Sequence, residues 1–117
     1  MAYIDGFLAP VPETGKDAYV DHCKKFIPLM KSHGVISGCE CWGDDLPDGK
    51  LTDMRKAVAA VEGETVVFGW MVWPDKATRD AGWAKIMEDP TMQSGGTSMP
   101  FDGKRMIFGA FEPLVEY

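Results

Sequence analysis

The chain has 117 residues and a mass of 12.9 kDa, with 45% apolar and 26% charged residues. That is the profile of one ordinary globular domain spanning residues 1–117, not of a disordered, collagen-like or repeat sequence. Twelve Lys and Arg against 18 Asp and Glu leave a net charge of −6. With no basic stripe to neutralise a phosphate backbone, the expected partners include neither nucleic acid nor an anionic membrane.

The elements follow in chain order. Tyr3 to Ala9 is an apolar segment that predicts a strand, stopped by Pro10-Val11-Pro12. Thr14 offers an N-cap for a helix running to about Ser32, with His33-Gly34 as its stop. Tyr19, Cys23, Phe26, Ile27 and Met30 recur at spacings of three and four and mark its buried stripe. Pro28 lies inside that pattern and removes a backbone donor, so a kink or a break is expected between Lys24 and Pro28. Val35 to Trp42 reads as a second strand, followed by an acidic turn over 44–49. Thr52 to Ala60 predicts a short helix capped by Thr52 or Asp53.

Thr65 to Trp73 is the strongest strand signal, and Pro74-Asp75 closes it. Asp75 caps a further helix to about Glu88, with Trp83, Ile86 and Met87 inward, and Asp89-Pro90 ends it. Thr91 to Met99 reads as loop, and Arg105 to Val115 as the last strand. The order β-α-β-β-α-β is that of an α+β, ferredoxin-like fold, with both helices on one face of the sheet. The other face raises a question of cover. Val66, Phe68, Trp70 and Val72 lie on one side of the third strand and Val67, Gly69, Met71 and Trp73 on the other, so both sides are apolar. Met106, Phe108 and Ala110 against Ile107, Gly109 and Phe111 repeat the pattern. Strands apolar on both faces are buried on both, and two helices cover only one. A second copy of the chain is the expected cover, making a homodimer.

No apolar run is long enough to span a bilayer, and the N-terminus lacks a basic region and carries Asp5 in its first apolar stretch, unlike a signal peptide. Three cysteines, Cys23, Cys39 and Cys41, are an odd set without a secretion signal, which fits a reduced, cytoplasmic protein. Cys39 and Cys41 share a strand face and raise a metal hypothesis, but no second Cys/His pair follows at ligand spacing. They read as small, partly buried hydrophobes, with no metal and no disulfide expected.

Asp5 stands out among candidate site residues, because a carboxylate inside an apolar strand is costly without a partner. It is either a general base with a raised pKa or one half of a structural ion pair. Arg105 on the last strand is its expected partner, with Lys104, Arg79 or a tyrosine hydroxyl as alternatives. Asp102-Gly103-Lys104-Arg105 is either an anion clamp or a solvated turn. Trp42, Trp70, Trp73 and Trp83 either line an aromatic pocket or are core. Neither a nucleophile elbow nor a phosphate-binding glycine loop is present.

Several segments together carry a family likeness. They are Tyr3-Ile4-Asp5-Gly6-Phe7, Pro10-Val11-Pro12, residues 64–70 with Pro74 and Arg79-Asp80, Glu40-Cys41 with Asp44-Asp45 and Pro47, and above all MPFDGKRM at 99–106. Over nearly the whole chain the sequence resembles the small, uncharacterised bacterial YbaA-like proteins, departing at Pro28, at Asp75-Lys76 and at 94–98. The resemblance implies a dimeric α/β-barrel, in which two ferredoxin-like sheets pack face to face, and brings no reaction with it. The resulting expectation is a cytoplasmic, homodimeric protein that binds a small aromatic or carboxylated metabolite between sheet and helices. Arg105, Lys104, Asp102 and Trp70 are its expected ligand-binding residues, with no cofactor. The alternative is a cofactor-independent oxygenase or isomerase with Asp5 as proton acceptor. A haem-degrading version is disfavoured, because the helix from Asp75 to Glu88 carries no His.

Overall fold

The computed structural model describes residues 2–95 and 99–117. Four strands, β1 (Tyr3–Pro12), β2 (Ser37–Trp42), β3 (Glu64–Trp73) and β4 (Ile107–Phe111), form one sheet in the order β2-β3-β1-β4. Every neighbouring pair is antiparallel. Helix α1 (Lys16–Ser32) connects β1 to β2, and α3 (Lys76–Glu88) follows β3. Short helices α2 (Met54–Ala57) and α4 (Pro90–Gly95) sit in the connections. This is the ferredoxin-like β-α-β-β-α-β arrangement. No helix among the described residues is long and apolar enough to cross a membrane.

Register decides which side chains share a face. Tyr3 pairs with Trp73, Asp5 with Met71, Phe7 with Gly69 and Ala9 with Val67. On β2, Glu40 and Trp42 pair with Gly69 and Val67, so all of these point the same way. Tyr19 and Cys23 of α1 pack on Ala9, Val11 and Val67 as the core, with Phe7, Trp42, Phe101 and Met106 against it. The helices therefore cover this face. The opposite face carries Ile4, Leu8, Phe68, Trp70, Val72, Ile107 and Phe111, and in the single chain Phe68, Ile107 and Phe111 are exposed.

Several expectations change at the ends of elements. β1 runs on through Pro10 and Pro12, which pair with Val66 and Glu64. β4 reaches only as far as Leu8, so beyond that point β1 has a free side, where proline is tolerated. β2 starts at Ser37 rather than Val35, and α2 is only four residues long, with Asp53 Oδ1 accepting from the Lys56 N–H at 2.7 Å as its cap. Asp75 caps α3 through the Thr78 N–H at 2.7 Å. Met87 points outward and is exposed, whereas Ile86 is buried. Residues 91–95, expected as loop, belong to α4, and the rest of that expected loop up to 98 lies outside the described residues. The last strand begins at Ile107, which leaves Arg105 in the turn before it.

The N-terminus of α1 is led in by a 3-10 turn (Glu13–Gly15), so Gly15 and not Thr14 is its cap. Its end is as read: His33 donates its backbone N–H to the Met30 carbonyl at 3.1 Å, and Gly34 takes a φ of +121°. Pro28 does not split the helix, which is continuous from Lys16 to Ser32. Tyr19, Cys23 and Phe26 anchor one face, while Lys24, Lys25 and Pro28 lie exposed, so the missing bond leaves a carbonyl to water rather than to the core. Ile27 is exposed rather than part of the buried stripe. Replacing Pro28 by Ala restores that bond. The expected result is a gain of about 1–3 kcal/mol in urea unfolding, and an unchanged or lower midpoint would contradict this account of the helix.

Candidate functional site

Asp5 projects from β1 onto the helix-covered face, and its carboxylate is fully engaged. Oδ2 accepts the indole N–H of Trp73 at 2.8 Å, the indole N–H of Trp83 at 2.8 Å and Arg79 Nε at 3.1 Å. Oδ1 accepts Arg79 Nη2 at 2.8 Å. The partner is thus Arg79 of α3, not Arg105, because α3 crosses the sheet directly over the Asp5 end of β1. Buried indoles need acceptors, and two of them converge here with a forked guanidinium. Asp5 is 8% exposed, and both of its oxygens accept hydrogen bonds.

Arg105 is engaged elsewhere. Its guanidinium grips Glu64 at the start of β3 with two 2.8 Å bonds, reaches Asp102 at 3.0 Å and donates to the Ala59 carbonyl at 3.0 Å. Asp102 also accepts the Lys104 backbone N–H at 2.9 Å. The Arg105 bonds, helped by the Val61 N–H, hold the Glu64 carboxyl down to about 2. The segment 102–105 is therefore a buckle that ties the entry of β4 to β3.

A cavity of about 550 Å³ lies between α1 and β2. Tyr19, Cys23 and Ile27 line it from the helix, Glu40 and Trp42 from β2, and Lys16, Lys24 and Lys31 stand along it. Trp70 also lines it, although register puts its side chain on the face shared with Cys39 and Cys41. Asp5, Asp102, Lys104 and Arg105 do not line it. Glu40 reaches water through the cavity mouth, yet its carboxylate lies down on the sheet. A Cβ at Gly69 would collide with Glu40 Oε2 and with the Phe7 ring, so the bare backbone there is the seat of the carboxylate. The Tyr19 hydroxyl donates to Oε2 across a long 3.5 Å. Burial pushes the Glu40 carboxyl up to about 7, with the tyrosine bond pulling the other way. Burial and the neighbouring Glu40 raise Tyr19, and also lift the Cys23 thiol to about 11. Chemically, this is a proton-exchanging carboxyl in an aromatic-walled cavity.

Glu40 is the site residue that the sequence reading passed over. Its flanking thiols drew attention to the other face of the strand, and only the pairing of Glu40 with Gly69 shows where the carboxylate rests. The Asp5 cluster generates a separate expectation. Asp5→Asn presents an amide to two indole donors and leaves Arg79 with only the exposed Asp80 as a counter-charge, which should cost about 3 kcal/mol. The variant should leave the Glu40 cavity intact. Denaturant unfolding checks the first part, and a loss below about 1 kcal/mol would show that the cluster contributes little.

Comparisons with known proteins agree with this architecture. The chain is 52% identical over 116 residues to "Uncharacterized protein YbaA" of Escherichia coli K12, covering 99% of both chains. Among solved structures it is similar to the Streptomyces coelicolor monooxygenase from the gene ActVA-Orf6, in complex with Nanaomycin D. That similarity has a TM-score of 0.64 and 10% identity, over 99% of this chain and 90% of that one. It is also similar to a mutant form of SnoaB, a cofactor-independent oxygenase from Streptomyces nogalater. There the TM-score is 0.59 at 8% identity, over 98% and 95% of the two chains. At such identities these two structures speak for the fold alone. Residues 2–103 match the family described as "Protein of unknown function (DUF1428)", and with its YbaA relative the chain belongs to that family.

Proposed function

We propose that the cavity between α1 and β2 binds a small aromatic molecule bearing an ionisable hydroxyl or carboxyl group, with Glu40 as the proton partner. The carrying observation is one carboxyl, set near neutrality by burial, inside an aromatic-walled cavity of ligand size. Lys16, Lys24 and Lys31 stand where an anionic substituent would need a counter-charge, the role first expected of Lys104 and Arg105. Arg105 is committed to Glu64 and Asp102, and Asp5 is committed to Arg79, Trp73 and Trp83. This supports structural roles for Asp5, Asp102 and Arg105.

1-Hydroxy-2-naphthoate is a suitable test ligand, since it combines the flat ring with both groups. Below about pH 7 Glu40 is neutral and tolerates the anion; above it the carboxylate repels the anion. Affinity measured by fluorescence should therefore fall as pH rises through about 7, and Glu40→Gln should bind equally at both ends. A flat pH profile for the native protein would remove Glu40 from the site.

A second reading, a cofactor-independent oxygenase or isomerase, draws on the same carboxyl in its ionised form. Glu40 would take a proton from an acidic C–H or O–H and leave the electron pair on the substrate. The likeness in fold to SnoaB is an analogy that favours it. The pH dependence has the opposite sign, because turnover of an aromatic substrate with an acidic C–H would rise through about 7 and vanish in Glu40→Gln.

The protein is proposed to act as a homodimer through the sheet face that no helix covers. Ile4, Leu8, Phe68, Val72, Ile107 and Phe111 form its apolar strip. A second copy needs to bury more than about 1,200 Å² in total for a stable pair. Sedimentation at micromolar concentration should show a dimer, and Phe68→Glu should dissociate it. A native monomer would refute the pairing.

A further inference from the structure

The thiols of Cys39 and Cys41 stand 3.5 Å apart on edge strand β2, both free, with Cys39 exposed. Alternation along the strand turns both away from the Glu40 carboxylate and towards the face carrying Trp70 and Phe68, their partners on β3. The second thiol raises the pKa of Cys41 through a shared hydrogen bond. The pair therefore behaves as one dithiol and not as two separate cysteines.

Its spacing selects a ligand. With sulfur bonds of about 2.3 Å, the length for a thiolate on zinc, sulfurs this far apart subtend roughly 100° at a shared atom. No rearrangement of the strand is needed to reach that bite. Zinc would take four protein ligands in a structural site, and no group of three or more His, Cys, Asp or Glu capable of holding a metal exists among the described residues. A centre satisfied by two sulfurs fits better. Trivalent arsenic carrying one organic substituent is such a centre, pyramidal, with its bonds near right angles.

We propose that Cys39 and Cys41 form a two-thiol binding site for a trivalent, thiophilic centre of the monosubstituted arsenical type. The reaction balances without an oxidant: two S–H bonds break, two As–S bonds form, and the arsenoxide oxygen leaves as water with both protons. Arsenic stays trivalent throughout. β2 is an edge strand of the sheet, and Cys39 is exposed in the single chain. Cys39 and Cys41 are also among the residues that line the cavity at the sheet edge, but their side chains point away from the Glu40 carboxylate.

Phenylarsine oxide tests it on the reduced, native protein. One equivalent should add a single phenylarsenic unit by intact mass, and the accessible thiols of Cys39 and Cys41 should both be lost, buried Cys23 being unaffected. A small dithiol should reverse the adduct, while a monothiol at the same concentration should not. Cys39→Ser and Cys41→Ser should each weaken binding about a hundredfold or more, the loss of a second tethered contact. Cys23→Ser should bind like the native protein. Binding that survives either strand variant, or no adduct at one equivalent, would overturn the proposal. Equally tight binding of zinc alone would overturn the choice of a two-sulfur centre.

Discussion

The carboxylate of Asp5 organises one half of this molecule. An ionised group in the middle of a sheet is tolerated only when its lone pairs are met by charge or by hydrogen bonds. Here Arg79 supplies the charge, and the indoles of Trp73 and Trp83 supply the rest. The three partners come from the end of β3 and from α3, so the cluster fixes the height and rotation of that helix over the sheet. Hydrogen bonding of this kind adds little net stability per bond but is expensive to leave incomplete. Its effect is on uniqueness: any shift of α3 along the sheet would strand the Trp83 indole N–H and pull the Arg79 guanidinium off Asp5.

The other half is built on a different principle. Between α1 and β2 there is no such lock, and Gly69 leaves a gap in the sheet surface where a side chain would stand. Phe7 and Glu40 move into that gap from either side. Because Glu40 rests on backbone and not on a cation, its carboxyl is raised towards neutrality, whereas Glu64, gripped by Arg105, is lowered. Two glutamates on neighbouring strands thus take opposite characters from their surroundings alone. The tightly paired groups hold the fold, and the group left without a cation faces the cavity.

The fold was legible in the sequence because it depends on periodicity and punctuation. The third strand, the stripe of Tyr19, Cys23 and Phe26, and the Asp75 cap are local signals that survive into the structure. The site was less legible, because it depends on register. Asp5 could be flagged as a carboxylate in need of a partner. Its choice of Arg79 over Arg105, however, follows from where α3 crosses and from β4 starting two residues after Arg105. The seat of the Glu40 carboxylate depends on its pairing with Gly69, 29 positions away. Pro10 and Pro12 misled for a related reason: they end a strand only when it has neighbours on both sides, and β1 loses one at Leu8.

Three consecutive residues, Cys39-Glu40-Cys41, show how much a single strand can present. A period of two gives the central carboxylate to the helix-covered face and both sulfurs to the other. The same alternation that turns Glu40 towards α1 therefore brings the thiols side by side, since residues two apart on a strand are neighbours on one face. In the middle of a sheet such thiols would be hemmed in by neighbours on both sides. On an edge strand they are flanked by β3 alone, through Trp70 and Phe68. A shift of one residue in the pairing of β2 with β3 would exchange the two faces, turning the thiols towards α1 and the carboxylate away from it. Both chemistries thus rest on one register. It is held by the β2–β3 ladder and, at its end, by the Gly43 N–H donated to the Val66 carbonyl at 2.8 Å and the Thr65 hydroxyl donated to the Gly43 carbonyl at 3.2 Å.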